Sequence, residues 1–471
     1  MPGARLNRLA SALSGNFRPV TIITAYYSPK NNMGSTTNFQ IVLLIMFGFL
    51  AVIAVLMFAG VIPGGSSFLG DKSAGEIVMW GPAGGDNLQR FFEDLSLANE
   101  KTVRIRYVAQ APETYLDKLI EAFARGGGPD AFFVDQNMID RLTGKITDIP
   151  FSVYAERDFR DNFVDGAAIF AGTSSLKALP LLVDPLMLYY NRTLYSSAGI
   201  AVPPARWDDF LGGISALNRR DERGNFKLTA APLGEFVNIQ NAKYILSTLM
   251  LQAGNPITTN ESDGSYRFDL ANDYGFSPAP AVAAVNFYLQ FSNPSLAVYS
   301  WNRSMDDDQS LFIAEQAAAY FGFASELSRL KAKNPHLALD VAPLPQKDLT
   351  RRFVYGSFTG IAIAGNSRQK SLAYAASRLL TETANLSKLA EVIGIPPARR
   401  DLLSRAVSDP WQQAWNGSAL YARSFVDPDR AQTNAILTRT LENIQTNQIS
   451  APEALTDANG RLNLLFKTEE R

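Results

Sequence analysis

Few side chains in this sequence are equipped for covalent or metal chemistry. There is no cysteine, which excludes thiolate nucleophiles, disulfides and sulfur-ligated metals. The single histidine, His336, sits in the loop-like segment KAKNPHLALD, so histidine-based hydrolase triads and the usual zinc sites are removed as well. Gly126 to Gly128 lack the following Gly-Lys-Ser/Thr of a phosphate loop and close a helical pattern rather than opening one. The run MDDDQS, residues 305–310, lacks calcium-loop spacing and its glycine; carboxylates ahead of a helix complement its macrodipole instead. No cofactor is expected. What remains is noncovalent chemistry by carboxylates, amides and aromatic rings. Asp135 and Gln136 end the apolar run AFFVD, and Trp80 and Gly81 end the run EIVMW.

Periodicity supplies the elements that position them. Leu88, Phe91, Phe92 and Leu95 recur at helical spacing, as do Tyr115, Leu119 and Phe123. Val103, Ile105 and Tyr107 alternate as in a strand. Strand, helix, strand, helix, strand over residues 76–135 is the pattern of a parallel sheet covered by helices. Ligands bind outside the carboxyl ends of such strands, which makes Trp80, Gly81, Asp135 and Gln136 candidate cleft residues by position. About 400 residues of folded chain exceed what one core supports, so two lobes are expected.

Further along, Pro180 to Asp184 reads P-x-x-x-D and is followed by LYYNRTLYSSAGI and PP-x-x-WDDF. This segment resembles family 1 of the extracellular solute-binding proteins, the maltose-binding-protein-like receptors of ABC sugar importers. Downstream the resemblance continues in order through SLFIAEQAAAYFGFASEL, VAPLPQ, FVYGSFTGIAIAGNSRQKSLAYAASRLLTE, GIPPARRDLL and ISAPEALTDANGRLNLLF. It covers residues 76–466. The fold class it implies is α/β, two-lobed and periplasmic-binding-protein-like (type II), with lobe 1 at about 76–181 and 343–392 and lobe 2 at about 182–342 and 393–466. It implies a non-catalytic receptor that closes on a small molecule, a mono- or oligosaccharide first, with peptide, polyamine or glycerol-phosphate ligands also open. Asp184 stands where the family often places an acid that accepts hydrogen bonds from sugar hydroxyls; a carboxylate offers several such sites. Its alternative role is a turn or cap, since Asp-Pro is a turn former. Asp135 has the same two readings. Trp80, Trp301, Phe323, Tyr355 and Phe358 are candidate platforms for a sugar ring, and Gln136 and Arg399 candidate polar contacts. Arg206 departs from the family, which has Thr as the cap of the helix beginning at Trp207.

The apolar run Phe39–Ile62 sets the expected location. From Ile41 to Ile62 there is no charge and no proline, and fifteen residues are Leu, Ile, Val or Phe. At ~1.5 Å per residue this run spans about 33 Å, enough for a bilayer core of ~30 Å. It is too long for the apolar core of a signal peptide, which predicts an uncleaved transmembrane helix. Residues 1–38 carry Arg5, Arg8, Arg18 and Lys30 and no acid, which places the tail in the cytoplasm and the large domain outside. A start at Met33 would leave a short polar lead. The stretch 63–75 reads as a flexible linker reaching roughly 20 Å. A net charge of −1 argues against a nucleic-acid surface. The expected partners are a small-molecule ligand, ABC permease subunits and the membrane. A glycosidase would need paired carboxylates in a recognisable frame, which are not seen. An anchored sensor or cell-surface interaction protein using the same fold without transport is the alternative.

Overall fold

The computed structural model describes residues 75–261 and 264–468, together with the helical positions Leu43, Met46 and Phe47. The expected tail 1–38, the rest of the expected membrane helix 39–62 and the linker up to residue 74 lie outside the described residues. Among the described residues no helix is long and apolar enough to cross a membrane. The chain divides into Met1–Lys72 and Ser73–Arg471, and the second unit contains the whole α/β fold.

That fold opens with β1 (Glu76–Pro82), α1 (Gly85–Ala98), β2 (Arg104–Gln110), α2 (Tyr115–Ala124) and β3 (Ala131–Asp135). β1 lies between β2 and β3 and is parallel to both. The buried residues of α1 are Leu88, Phe91, Phe92 and Leu95, the four that the spacing selects. Phe92 stacks on Tyr107 of β2 at 4.2 Å between ring centroids. Burying one such ring contributes roughly 1.5–3 kcal/mol, so this stripe is what glues the helix to the sheet. α2 stops at Ala124, and Gly126 takes the left-handed conformation (φ +73°) that the chain needs to leave a helix.

Two long strands carry the topology. β4 (Leu179–Asn191) is followed by α3 (Trp207–Leu217), α4 (Ala242–Ala253), α5 (Asp308–Ile313), β5 (Ala319–Phe323), β6 (Leu339–Pro343) and β7 (Val354–Ala364). The first part of β4, Leu179–Pro185, pairs antiparallel with β7. Its second part, Leu186–Asn191, pairs with β5 on one side and β6 on the other. β7 continues to β3, giving the order β5-β4-β7-β3-β1-β2. Strand partners therefore change at Asp184-Pro185. A third segment lies against the same place: Val183 donates its N–H to the Pro396 carbonyl and Ala398 to the Leu181 carbonyl.

The remaining helices are α6 (Lys370–Leu380), α7 (Thr383–Ile393), α8 (Pro410–Ala419), α9 (Arg430–Gln445) and α10 (Ala451–Thr468). Arg206 precedes α3 in extended conformation without a side-chain cap bond, consistent with the loss of the usual Thr. In the acid run, Asp307 is the N-cap of α5 and accepts from the Ser310 N–H.

Candidate functional site

The carboxyl ends of β1 and β3 open on a cavity of about 590 Å³. Pro82, Tyr115, Asp135, Asn137 and Thr359 line one side, and Asp427 to Ala431, leading into α9, line the other. Asp135 does two jobs with its two oxygens. Oδ1 accepts from the N–H groups of Asn137 and Met138 at 2.8 and 3.0 Å, which turns the chain as β3 ends. Oδ2 meets the Arg430 guanidinium at 2.6 Å, across 295 residues of sequence. Tyr115 donates from its hydroxyl to the carbonyls of Phe133 at 2.8 Å and Trp80 at 3.2 Å, fixing the ends of both strands.

Behind Arg430 the wall is held by a buried ion pair. Lys243 on α4 and Asp427 are each 4% exposed and meet at 2.7 Å. Asp427 also accepts from the Thr433 hydroxyl at 2.7 Å, and its N–H donates to Asn137 Oδ1 at 3.0 Å. Asp429 caps α9, accepting from Gln432 and Ala431, and these bonds hold its carboxyl below the usual carboxylate range. The charges on this wall are mostly spent on one another. The arrangement offers hydrogen-bond donors and acceptors in fixed positions, and no nucleophile is paired with a base.

Asp184 sits where β4 changes partners, opposite Ser357 of β7. Its Oδ1 accepts from the Ser325 N–H at 3.0 Å. Burial pushes its carboxyl up to about 7, against the stabilising hydrogen bonds from Ser325. Phe323, at the end of β5, is half-buried and packs edge-on against Tyr244 at 5.1 Å. Tyr244 in turn stacks on Tyr355 at 4.6 Å.

Several expected contact residues are placed differently. Trp301 is fully buried and its indole N–H donates to Asn238 at 3.0 Å, so it has no face for a ligand. Phe358 is likewise fully buried, which corrects the expectation of a platform there. Tyr355 is 2% exposed and acts as the floor under Tyr244. Gln136 is fully buried: it donates to the Tyr355 hydroxyl and accepts from the Phe358 N–H at 2.9 Å, pinning β3 to β7. Arg399 is occupied by Asp401 at 2.8 Å, the Thr381 carbonyl at 3.0 Å and Asn162 at 3.4 Å, and it does not line the cavity. Trp80 contributes its carbonyl to Tyr115, while its half-buried ring packs against the core. Arg430, Asn137, Tyr115 and Tyr244 were not anticipated. The signal for the first was VDPDR, residues 426–430: an Asp-Pro turn and a capping acid before a helix.

Among the described residues no group of His, Cys, Asp and Glu side chains could hold a metal ion. The fold is α/β and periplasmic-binding-protein-like, as in MalE. The chain belongs to the bacterial extracellular solute-binding protein family, whose model matches residues 92–418. That is a family of binding receptors and not of enzymes. The fold is similar to that of the sugar-binding protein MalE from Xanthomonas citri, at 17% identity and TM-score 0.67, covering 84% of this chain and 98% of that one. It is also similar to the cyclic alpha-maltosyl-1,6-maltose binding protein from Arthrobacter globiformis, at 15% identity and TM-score 0.68, covering 84% and 100%. A third similar structure is a cyclo/maltodextrin-binding protein complexed with maltotetraose, at 19% identity and TM-score 0.65, covering 85% and 99%.

Proposed function

We propose that this protein captures a small carbohydrate in the cavity at the ends of β1 and β3 and hands it to an ABC importer, while held at the outer face of a membrane by residues 39–62. The observation that carries the reading is the pairing of Asp135 with Arg430. Polar groups 295 residues apart are brought to one cavity of about 590 Å³, within the size range of small-molecule sites. The rest of the lining supports it: Tyr115, Asn137 and Thr359 bring polar side chains to the cavity and Arg430 a fork of donors. Structural relatives described as binding maltotetraose and cyclic maltosyl-maltose have this fold and favour a sugar over other solutes.

In this reading the strands on either side of Asp184-Pro185 belong to two lobes, about 76–181 with 343–392 and about 182–342 with 393–466. Ligand touches both lobes only when they are closed, and so stabilises closure by that difference in affinity. A short linker keeps the receptor near its permease at high effective concentration. The test is a thermal-shift and calorimetric titration of the full chain with glucose, maltose, maltotetraose and a cyclic maltodextrin. A ligand at 100 times its Kd adds about 2.7 kcal/mol of stability. The reading expects at least one sugar to do this in wild type and not in Arg430→Ala; a flat response to all sugars would overturn it.

A further inference from the structure

The cavity at the ends of β1 and β3 presents donors that nothing in the protein uses. Asn137 is only 8% exposed, yet it lines the cavity. Its Oδ1 accepts from the Asp427 N–H at 3.0 Å, and because a backbone N–H needs an oxygen there, the two ends of the amide are told apart. The Nδ2 group is left without a partner among the described residues, and it keeps open surface. Thr359 on β7 brings a hydroxyl in the same condition. Arg430 commits only Nη2, to Asp135, which leaves Nε and Nη1. The acceptors beside these donors are already engaged. Asp135 holds two N–H groups and the guanidinium, and Asp427 holds Lys243 and the Thr433 hydroxyl. Charge cancels as well, Asp135 against Arg430 and Asp427 against Lys243.

The exposed part of the lining is different. Glu113, in the short turn Pro112–Thr114, and Asp117, in the first turn of α2, are exposed and form no ion pair among the described residues. Asp117 also complements the α2 dipole, which leaves its charge in place. Asp429, the last acid of the lining, is used as the cap of α9 and lies in the field of Arg141. The rim therefore carries two carboxylates that no cation of the lining answers.

We infer that the preferred ligand is a sugar bearing a protonated amine, an inference that rests on the carbohydrate reading of this cavity. Its oxygens accept from Asn137, Thr359 and Arg430, and its ammonium lies toward Glu113 and Asp117. Each alternative meets only part of the lining. A neutral sugar satisfies the donors and gains nothing from the rim. A sugar acid also satisfies the donors, but adds a third negative charge beside the two at the rim. A plain diamine answers the rim and leaves the buried Asn137 donor unpaired, which is the costlier error. The rim carboxylates are exposed, so their preference for the amine is modest and is screened by salt.

The test is calorimetric titration of the full chain in detergent with glucosamine, glucose, glucuronate and putrescine, at about pH 6 so that the amines are protonated. Glucosamine is expected to bind at least about threefold more tightly than glucose at low salt, with the ratio falling toward one at high salt. The double change Glu113→Gln, Asp117→Asn should bring that ratio to about one at low salt as well. Glucuronate and putrescine should each bind at least about tenfold more weakly than glucosamine. Glucose binding as tightly as glucosamine overturns the inference and leaves the carbohydrate reading standing. A preference for the amine that survives the double change, or either control matching glucosamine, also overturns it. Failure of every sugar to bind overturns both.

Discussion

Lys243 and Asp427 are nearly inaccessible to water, so replacing one of them strands a charge where solvent cannot reach it. Lys243→Met leaves Asp427 with only the Thr433 hydroxyl and is expected to cost about 3–5 kcal/mol. Asp427→Leu costs a similar amount, because it orphans both the ammonium and the Thr433 hydroxyl; the latter alone is worth roughly 1–3 kcal/mol. The triple change Lys243→Met, Asp427→Leu, Thr433→Val removes every member of the group and replaces it with apolar volume. Its stability is expected within about 2 kcal/mol of wild type in either direction, since such pairs give little net stabilisation. The assay is urea unfolding of the full chain in detergent, with ΔG from linear extrapolation and m-values compared across variants. The coupling energy between positions 243 and 427 should exceed about 2 kcal/mol. Additive single changes, or a single change costing less than about 1 kcal/mol, would refute the reasoning. The ion pair would then be hydrated, and the wall behind Arg430 looser than described.

Asp184 gives a pH-dependent expectation. Its folded-state pKa of about 7 lies above the ordinary 3.8, so the folded protein holds this proton more tightly than the unfolded chain does. The contribution is complete below about pH 4 and is lost as pH rises through 7. Asp184→Asn should therefore gain stability over wild type between pH 5 and pH 8, by an amount on the order of 2–4 kcal/mol, read as a widening difference in melting temperature. A constant difference across that range would contradict it. Asp308 is buried, with its carboxyl pushed up to about 7 and one oxygen unpartnered, so Asp308→Asn should show the same trend. Gly166→Ala places a methyl against the Ala422 carbonyl and the Phe358 ring and should cost about 1–3 kcal/mol of unfolding free energy. Finally, Asp135→Asn should weaken sugar binding and make the residual binding less sensitive to salt, measured by calorimetry at two ionic strengths; unchanged affinity would remove the Arg430 pair from the site.

What could be read beforehand was local. The stripe Leu88, Phe91, Phe92, Leu95 and the alternation of Val103, Ile105 and Tyr107 are properties of a few consecutive residues, and both became core as their spacing implies. The end of β3 was found the same way, which is why Asp135 was named and does line the cavity. Trp301 and Phe358 were misread because loop-like or strand-end sequence context says nothing about which distant segment will cover a ring. Trp301 is covered through Asn238, 63 residues away. Arg430 was missed for the reverse reason. Its only conspicuous neighbours in sequence mark a helix start, and its partner Asp135 is brought near by the fold alone.

The unbroken run of β4 through Asp184-Pro185 has one more consequence. Because that single strand hydrogen-bonds to β7 on one side of the switch and to β5 and β6 on the other, neither half can melt without stripping the other of an edge. Heat should thus take Ser73–Arg471 apart in one calorimetric peak, its van't Hoff and measured enthalpies agreeing, and not as a pair of domains failing in turn.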